Sequence, residues 1–125
     1  MIVIAVAVGG AIGSVARYGL SVWSHRLLGG SFPFGTLAAN LIGCLSLGII
    51  IGIVEQRGDL PPATRSFITT GFLAGMTTYS TFIYEASTMA RDGETVKAIF
   101  YFGASLAVSI ALFAVGLTSA RSVLR

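Results

Sequence analysis

Three stretches of this chain place polar side chains at helical spacing inside otherwise apolar sequence. Thr36 and Asn40 are four residues apart, so a helix presents them on one face. Tyr101, Ser105 and Ser109 recur every four residues and form a polar stripe. The segment Gly71–Phe82 combines two glycines with the four hydroxyl residues Thr77, Thr78, Ser80 and Thr81. Hydroxyl and carboxamide hydrogens are donors. A cation path would call for carboxylates or rings of carbonyls, and no acid accompanies these donor faces in the apolar stretches. Glu85 lies further along the third stretch, where it is expected to face water near the end. Tyr79 and Phe82, three residues apart, add ring edges, which carry partial positive charge. The chemistry on offer is therefore the replacement of an anion's water shell by protein donors. Each residue also has a plain structural reading. A lone Ser or Thr in an apolar helix usually bonds its own helix, Asn40 can serve as an interhelical tie, and two aromatics three apart usually pack in a core.

The elements that must hold these residues are membrane spans. Of the 125 residues, 54% are hydrophobic and 10% charged, against about 25% charged in a soluble domain. Mean hydropathy is +0.86. A soluble fold of this size would expose large apolar patches. Four runs approach the roughly 20 apolar residues needed to cross hydrocarbon: Ile2–Trp23, Phe32–Val54, Phe67–Ala90 and Val96–Ala120. Backbone at that depth must bond internally, so each run is predicted to be a helix. The fold class is an all-α membrane protein of four transmembrane helices in one domain over residues 1–125. Gly71, Gly75 and the clustered hydroxyls predict a break in the third helix, which would free backbone carbonyls. The run after Ile2 lacks a positive leading region and continues past Gly13, so it reads as a retained helix, not a signal peptide.

Several function classes fall away. Cys44 is the only cysteine and His25 the only histidine, which leaves no intramolecular disulfide and no cysteine–histidine metal site. Gly9-Gly10-Ala11-Ile12-Gly13-Ser14 follows no strand and is no nucleotide loop. The net charge of +3 is dispersed, which excludes a nucleic-acid interface. Nothing points to an enzyme.

The distribution of charge speaks to assembly. Arg57, Arg65, Arg121 and Arg125 fall on one side of the membrane, and Arg17, Arg26, Arg91 and Lys97 on the other. Orientation follows an excess of Lys and Arg on the cytoplasmic side, and four against four gives almost no instruction. Insertion in both orientations would lead to an antiparallel homodimer, since two-fold symmetry is the commonest closed assembly. Gly9 and Gly13, Gly48 and Gly52, and Gly71 and Gly75 have the small-xxx-small spacing that lets helices approach closely in lipid. These faces are expected to serve the dimer, with packing inside one chain as the plainer alternative.

The stretches Gly10–Tyr18, Phe32–Gly43 and Gly71–Phe82 resemble the Fluc (CrcB) family of fluoride channels, most specifically in Thr77-Thr78-Tyr79-Ser80-Thr81-Phe82 following Phe32-Pro33-Phe34-Gly35-Thr36 and Asn40. The resemblance covers all four runs. It implies a dual-topology antiparallel homodimer with two pores, passive fluoride export that limits toxicity, and a bacterial inner-membrane location. Its partners would be fluoride, lipid and a second copy. It further implies a structural sodium ion at the dimer interface, held by the backbone carbonyls of Ala74 and Thr77. Asn40 matches the family's pore asparagine, Thr36 the threonine one turn earlier, and Phe82 the second of a pore phenylalanine pair. Tyr79 stands where the first phenylalanine is usual, and Ala74 where glycine is common. Ser80 and Thr81 match a polar track, Tyr101 and Ser109 a tyrosine and a serine of the last helix, Arg17 a vestibule arginine, and Glu85 an acid near a pore mouth. A buried phenol normally finds a protein partner, so the Tyr79 hydroxyl is expected to bond a neighbouring helix.

The physical demands agree with that resemblance. Fluoride is small and strongly hydrated, and a conducting site must not hold it too tightly. No Lys or Arg lies at mid-depth to trap it, and Arg17 can draw anions toward an entrance. The alternatives are a small multidrug-type cation transporter, which needs a carboxylate in the first helix where this chain carries Arg17, and a non-conducting membrane assembly subunit.

Overall fold

The computed structural model describes residues 1–125 and is helical almost throughout. The elements are α1 (Ile2–Leu28), α2 (Phe34–Arg57), α3 (Pro62–Ser66), a π-helical stretch (Phe67–Leu73), α4 (Ala74–Met76), α5 (Tyr79–Arg91) and α6 (Thr95–Val123). Helices α1, α2 and α6 are each long and apolar enough to cross a membrane by length and composition. They outrun the apolar stretches read from sequence: α1 continues past Trp23 to Leu28, and α6 past Ala120 to Val123. Hydrogen-bonded backbone extends beyond the strictly apolar part of each run. Gly29 (φ 78°) and Gly58 (φ 93°) stop α1 and α2 in a conformation that side chains disfavour.

The remaining helical segment, residues 62–91, is assembled from shorter pieces. It starts five residues before Phe67, because Pro62 sits in the first turn of α3, where no amide hydrogen is required. After the π-helical stretch and α4, Thr77 (φ −83°, ψ 157°) and Thr78 (φ −155°, ψ 124°) are extended, and α5 begins at Tyr79. The Thr78 hydroxyl oxygen accepts the Thr81 amide at 3.3 Å and so caps α5.

Two sets of close approaches hold the helices together, and both are built on glycine. On one side, α1 packs against the π-helical stretch and α4. A Cβ on Gly9 would strike the Phe67 carbonyl, and one on Gly13 the Phe72 carbonyl. Gly71 and Gly75 answer from the other helix, where added Cβ atoms would come within 2.9 Å of the Val6 oxygen and 2.8 Å of the Gly10 oxygen. On the other side, α2 lies along α6. A Cβ on Gly48 would strike the Phe113 carbonyl, and one on Gly52 would lie 2.7 Å from the Ala120 Cβ. The Arg121–Glu55 ion pair joins the same two helices at one end. All six glycines of the small-xxx-small pairs are therefore used inside one chain, the plainer of the two readings. Such spacing marks close packing but does not identify the partner.

Only 19 of 125 residues are buried, and large apolar side chains such as Ile4, Val15, Trp23, Phe100 and Ile110 are exposed, which suits a surface solvated by lipid. The buried interior forms two small clusters. One contains Phe82, Met89, Ala98 and Tyr101, and the other Ala39, Leu73 and Met76.

The glycine contacts give a direct test. Gly13→Ala places its methyl against backbone that cannot withdraw, an overpacking that typically costs about 1–3 kcal/mol. Gly19 lies on the same helix with nothing within 4 Å of an added Cβ. Thermal melts of the purified variants should show Gly13→Ala clearly destabilised and Gly19→Ala neutral or slightly stabilised. Equal melting temperatures for the two would remove the close-packing account.

Candidate functional site

The extended pair Thr77–Thr78 leaves backbone groups without helical partners, and α2 supplies replacements. The Thr78 amide donates to Asn40 Oδ1 at 2.8 Å, and Asn40 Nδ2 donates back to the Thr78 carbonyl at 3.1 Å. Gly43, three residues further along α2, is where the Thr77 methyl nests, since a Cβ there would strike it. The Thr77 hydroxyl donates to the Leu73 carbonyl at 3.0 Å. In a continuous helix the Thr78 and Thr81 amides would bond the carbonyls of Ala74 and Thr77. Here those amides go to the side chains of Asn40 and Thr78 instead.

Beside this clasp runs a groove of about 400 Å³. Asn40, Ala74, Thr77, Tyr79, Phe82 and Ser109 all line it, so the fold brings together six residues read from sequence as site positions. Its wall also carries Ser105, whose hydroxyl is buried without a hydrogen-bond partner. Sequence placed Ser105 on the polar stripe but gave it no role. An unpartnered buried hydroxyl is costly, and this one sits one helical turn from both Tyr101 and Ser109. Thr78 was also given no role, although threonine is a favoured residue at a helix N-cap.

Ring contacts form the groove's far end. Phe82 is 4% exposed and stacks on Phe102 at a centroid distance of 5.4 Å. It also meets Tyr101 at 5.0 Å edge-on, and Tyr79 at 6.2 Å with the rings tilted.

A second cleft, of about 490 Å³, opens where the loop between α1 and α2 meets the end of α5. Thr36 and Glu85 line it. Thr36 Oγ1 donates to Glu85 Oε1 at 2.7 Å, and the Tyr101 hydroxyl donates to Glu85 Oε2 at 2.8 Å. Each carboxylate oxygen thus takes one hydroxyl from a different helix. This corrects the expectation that no acid accompanies the donor faces. Glu85 stands far from Thr36 and Tyr101 in sequence, but the packing of α2, α5 and α6 brings the three together.

The other site residues lie apart. Thr81 pairs through its hydroxyl with Thr78 at 3.1 Å. Ser80 is exposed and lines neither cleft. Arg17 is half-buried on α1, lines neither cleft and forms no ion pair. Tyr79 is 71% exposed, and its hydroxyl has no partner within the chain. The expected bond to a neighbouring helix is absent because the first turn of α5 points this ring outward.

Comparison with known proteins follows the same outline. The family model described as CrcB-like protein, Camphor Resistance (CrcB), matches residues 4–117. A protein of Acidobacterium capsulatum named fluoride-specific ion channel FluC is 46% identical over 105 residues, 84% of each chain. Proteins with the same name from Agrobacterium fabrum and Rhizobium johnstonii are 45% and 41% identical, over 94% and 96% of each chain.

The clasp predicts the consequence of a near-isosteric change. Asn40→Asp keeps the acceptor for the Thr78 amide but sets a charged oxygen against the Thr78 carbonyl. Losing the donor should lower stability by about 1–3 kcal/mol. Denaturation of the purified variant in detergent measures this, and a melting curve that matches the native protein would show that the clasp contributes nothing.

Proposed function

The chain belongs to the CrcB-like family, and we propose from that premise that it is a fluoride-selective ion channel of the membrane. The observation that carries the reading is the match, at 41–46% identity over most of the chain, to relatives named as fluoride-specific channels.

The groove's chemistry suits a small hydrated anion. Of the two hydrogens on the Asn40 amide, one goes to Thr78 and the second remains for an ion. Ser105 and Ser109 add hydroxyls, and Phe82 and Tyr79 add ring edges. Thr36 and Tyr101 are engaged by Glu85. An anion about 4 Å from that carboxylate would be repelled by about 4 kcal/mol at an effective dielectric of 20. The anion path is therefore assigned to the groove, with Ser80 and Thr81 continuing it along α5 and Arg17 attracting anions near an entrance. Transport is passive export that limits fluoride toxicity, in the inner membrane of a bacterium. Four spans cross the bilayer, the third formed by residues 62–91 and interrupted at Thr77–Thr78.

The assembly we assign is an antiparallel homodimer with two pores. The balanced charges support it, and so does the groove, which is open along one side and offers the exposed Tyr79 to a second wall. The glycine faces no longer do. The carbonyls of Ala74 and Thr77, whose usual amide partners are diverted, fit a sodium ion, because a hard cation takes oxygen ligands. Two-fold symmetry would double these two carbonyls into four. The ion would neutralise converging carbonyl dipoles and stabilise the dimer.

Liposomes loaded with fluoride or chloride test the function. Purified protein should release fluoride far faster than chloride. Phe82→Ile should slow fluoride greatly, and Tyr79→Phe should leave it near the native rate. Equal release of the two halides would end the fluoride-selective reading.

For the assembly, tagged C-termini should be accessible from both sides of the membrane in one population. Withdrawal of sodium should lower the dimer's melting temperature. C-termini confined to one side would rule out the antiparallel arrangement.

A further inference from the structure

The loop Gly29–Pro33 between α1 and α2 forms one wall of the larger cleft, and it is fastened from outside. The Lys97 ammonium, on the first turn of α6, donates to the backbone carbonyl of Ser31. It also pairs with Glu94 at 2.8 Å. One residue on from Ser31, the Phe32 ring meets Tyr101 edge-on at a centroid distance of 5.2 Å and lies 4.8 Å from Phe34. Tyr101, 1% exposed, is thus held between the rings of Phe32 and Phe82. Its hydroxyl in turn fixes one oxygen of Glu85, while Thr36 fixes the other.

We propose that Lys97 is a positioning residue for the cleft: its bond to Ser31 holds Phe32 against Tyr101, and Tyr101 thereby keeps the Glu85 carboxylate turned toward Thr36. The loop needs such a fastening. It begins with two glycines, and Gly29 (φ 78°) occupies a conformation that gives the chain little stiffness of its own. Besides the Phe34 amide's bond to the Phe32 carbonyl, the Lys97 bond is the only hydrogen bond to the backbone of residues 30–32 from outside a regular helix. Without the ammonium, Phe32 leaves Tyr101, the phenol loosens from Glu85, and the carboxylate turns into the cleft. Phe82, which lines the anion groove, then loses the Tyr101 ring packed edge-on against it, and passage through the groove slows. The inference rests on the proposed channel reading for its effect on flux, though not for its effect on the loop.

Two measurements on the full-length protein in lipid test it. The first is amide hydrogen exchange. Lys97→Met keeps the apolar stem and removes the donor, and exchange of the Phe34 amide, which is hydrogen-bonded to the Phe32 carbonyl, should quicken about fivefold, the population factor of a partly exposed interaction. Lys97→Arg should restore most of the protection. Unchanged exchange in Lys97→Met would overturn the fastening.

The second measurement is fluoride efflux from liposomes. Lys97→Met and Phe32→Ala should each slow it several-fold, and the double variant should be no slower than Phe32→Ala alone, since both act through one ring. Additive losses, or no loss in Lys97→Met, would overturn the positioning role. Native protein that passes no fluoride would instead sink the channel reading, and the exchange data would still decide whether Lys97 fastens the loop.

Discussion

Two hydrogen bonds between one side-chain amide and one backbone unit organise this molecule. Asn40 gives and takes a bond at Thr78, and so satisfies the peptide groups that an extended pair exposes between α4 and α5. In hydrocarbon, an unsatisfied amide or carbonyl costs several kcal/mol. Non-helical backbone therefore persists only where a partner is built in. A hydroxyl at position 40 would carry donor and acceptor on one short-reaching oxygen, and an aliphatic side chain would offer neither. The carboxamide is the shortest neutral side chain that places a donor and an acceptor on separate atoms.

Other features follow from that clasp. Because the Thr78 amide is committed to Asn40, the Ala74 carbonyl loses its helical partner. Because the Thr78 hydroxyl caps α5, the Thr77 carbonyl loses its own. Because Gly43 has no side chain, α2 can lie close enough for the clasp to form. Glu85 plays a comparable part at the neighbouring cleft, where one carboxylate ties α2, α5 and α6 through two hydroxyls. Removing either hydroxyl would leave one carboxylate oxygen without its partner, so these groups stand or fall together.

Sequence made some of this legible and hid the rest for physical reasons. Helices α1, α2 and α6 are continuous apolar runs, and the membrane dictates their conformation. The clustering of Asn40, Phe82 and Ser109 follows from helical spacing once the helices are paired. Pro61 and Pro62 fall between the apolar runs, yet Pro62 opens a helix, since the first turn needs no amide hydrogen from it. The π-helical stretch Phe67–Leu73, packed against α1 at Gly9 and Gly13, has no compositional signature that distinguishes it from an α-helix. The position of Glu85 depends on three helices meeting, which no spacing along one of them encodes. The glycine pairs announced close contact correctly but left the contacting helix unspecified.

The pairing of α2 with α6 also constrains how the chain is made. Gly48 and Gly52 find their partners at Phe113, Leu117 and Ala120, which are synthesised more than sixty residues later. The contacts of α1 with the segment after Pro62 are available earlier. A nascent chain therefore holds a half-built bundle in the bilayer while α2 presents a notched, unfilled flank to lipid. Only when the last helix enters is that flank covered, and the Glu55–Arg121 pair then closes the end. A ribosome that stalls before Gly116 releases a product whose first half is packed and whose second helix is still bare.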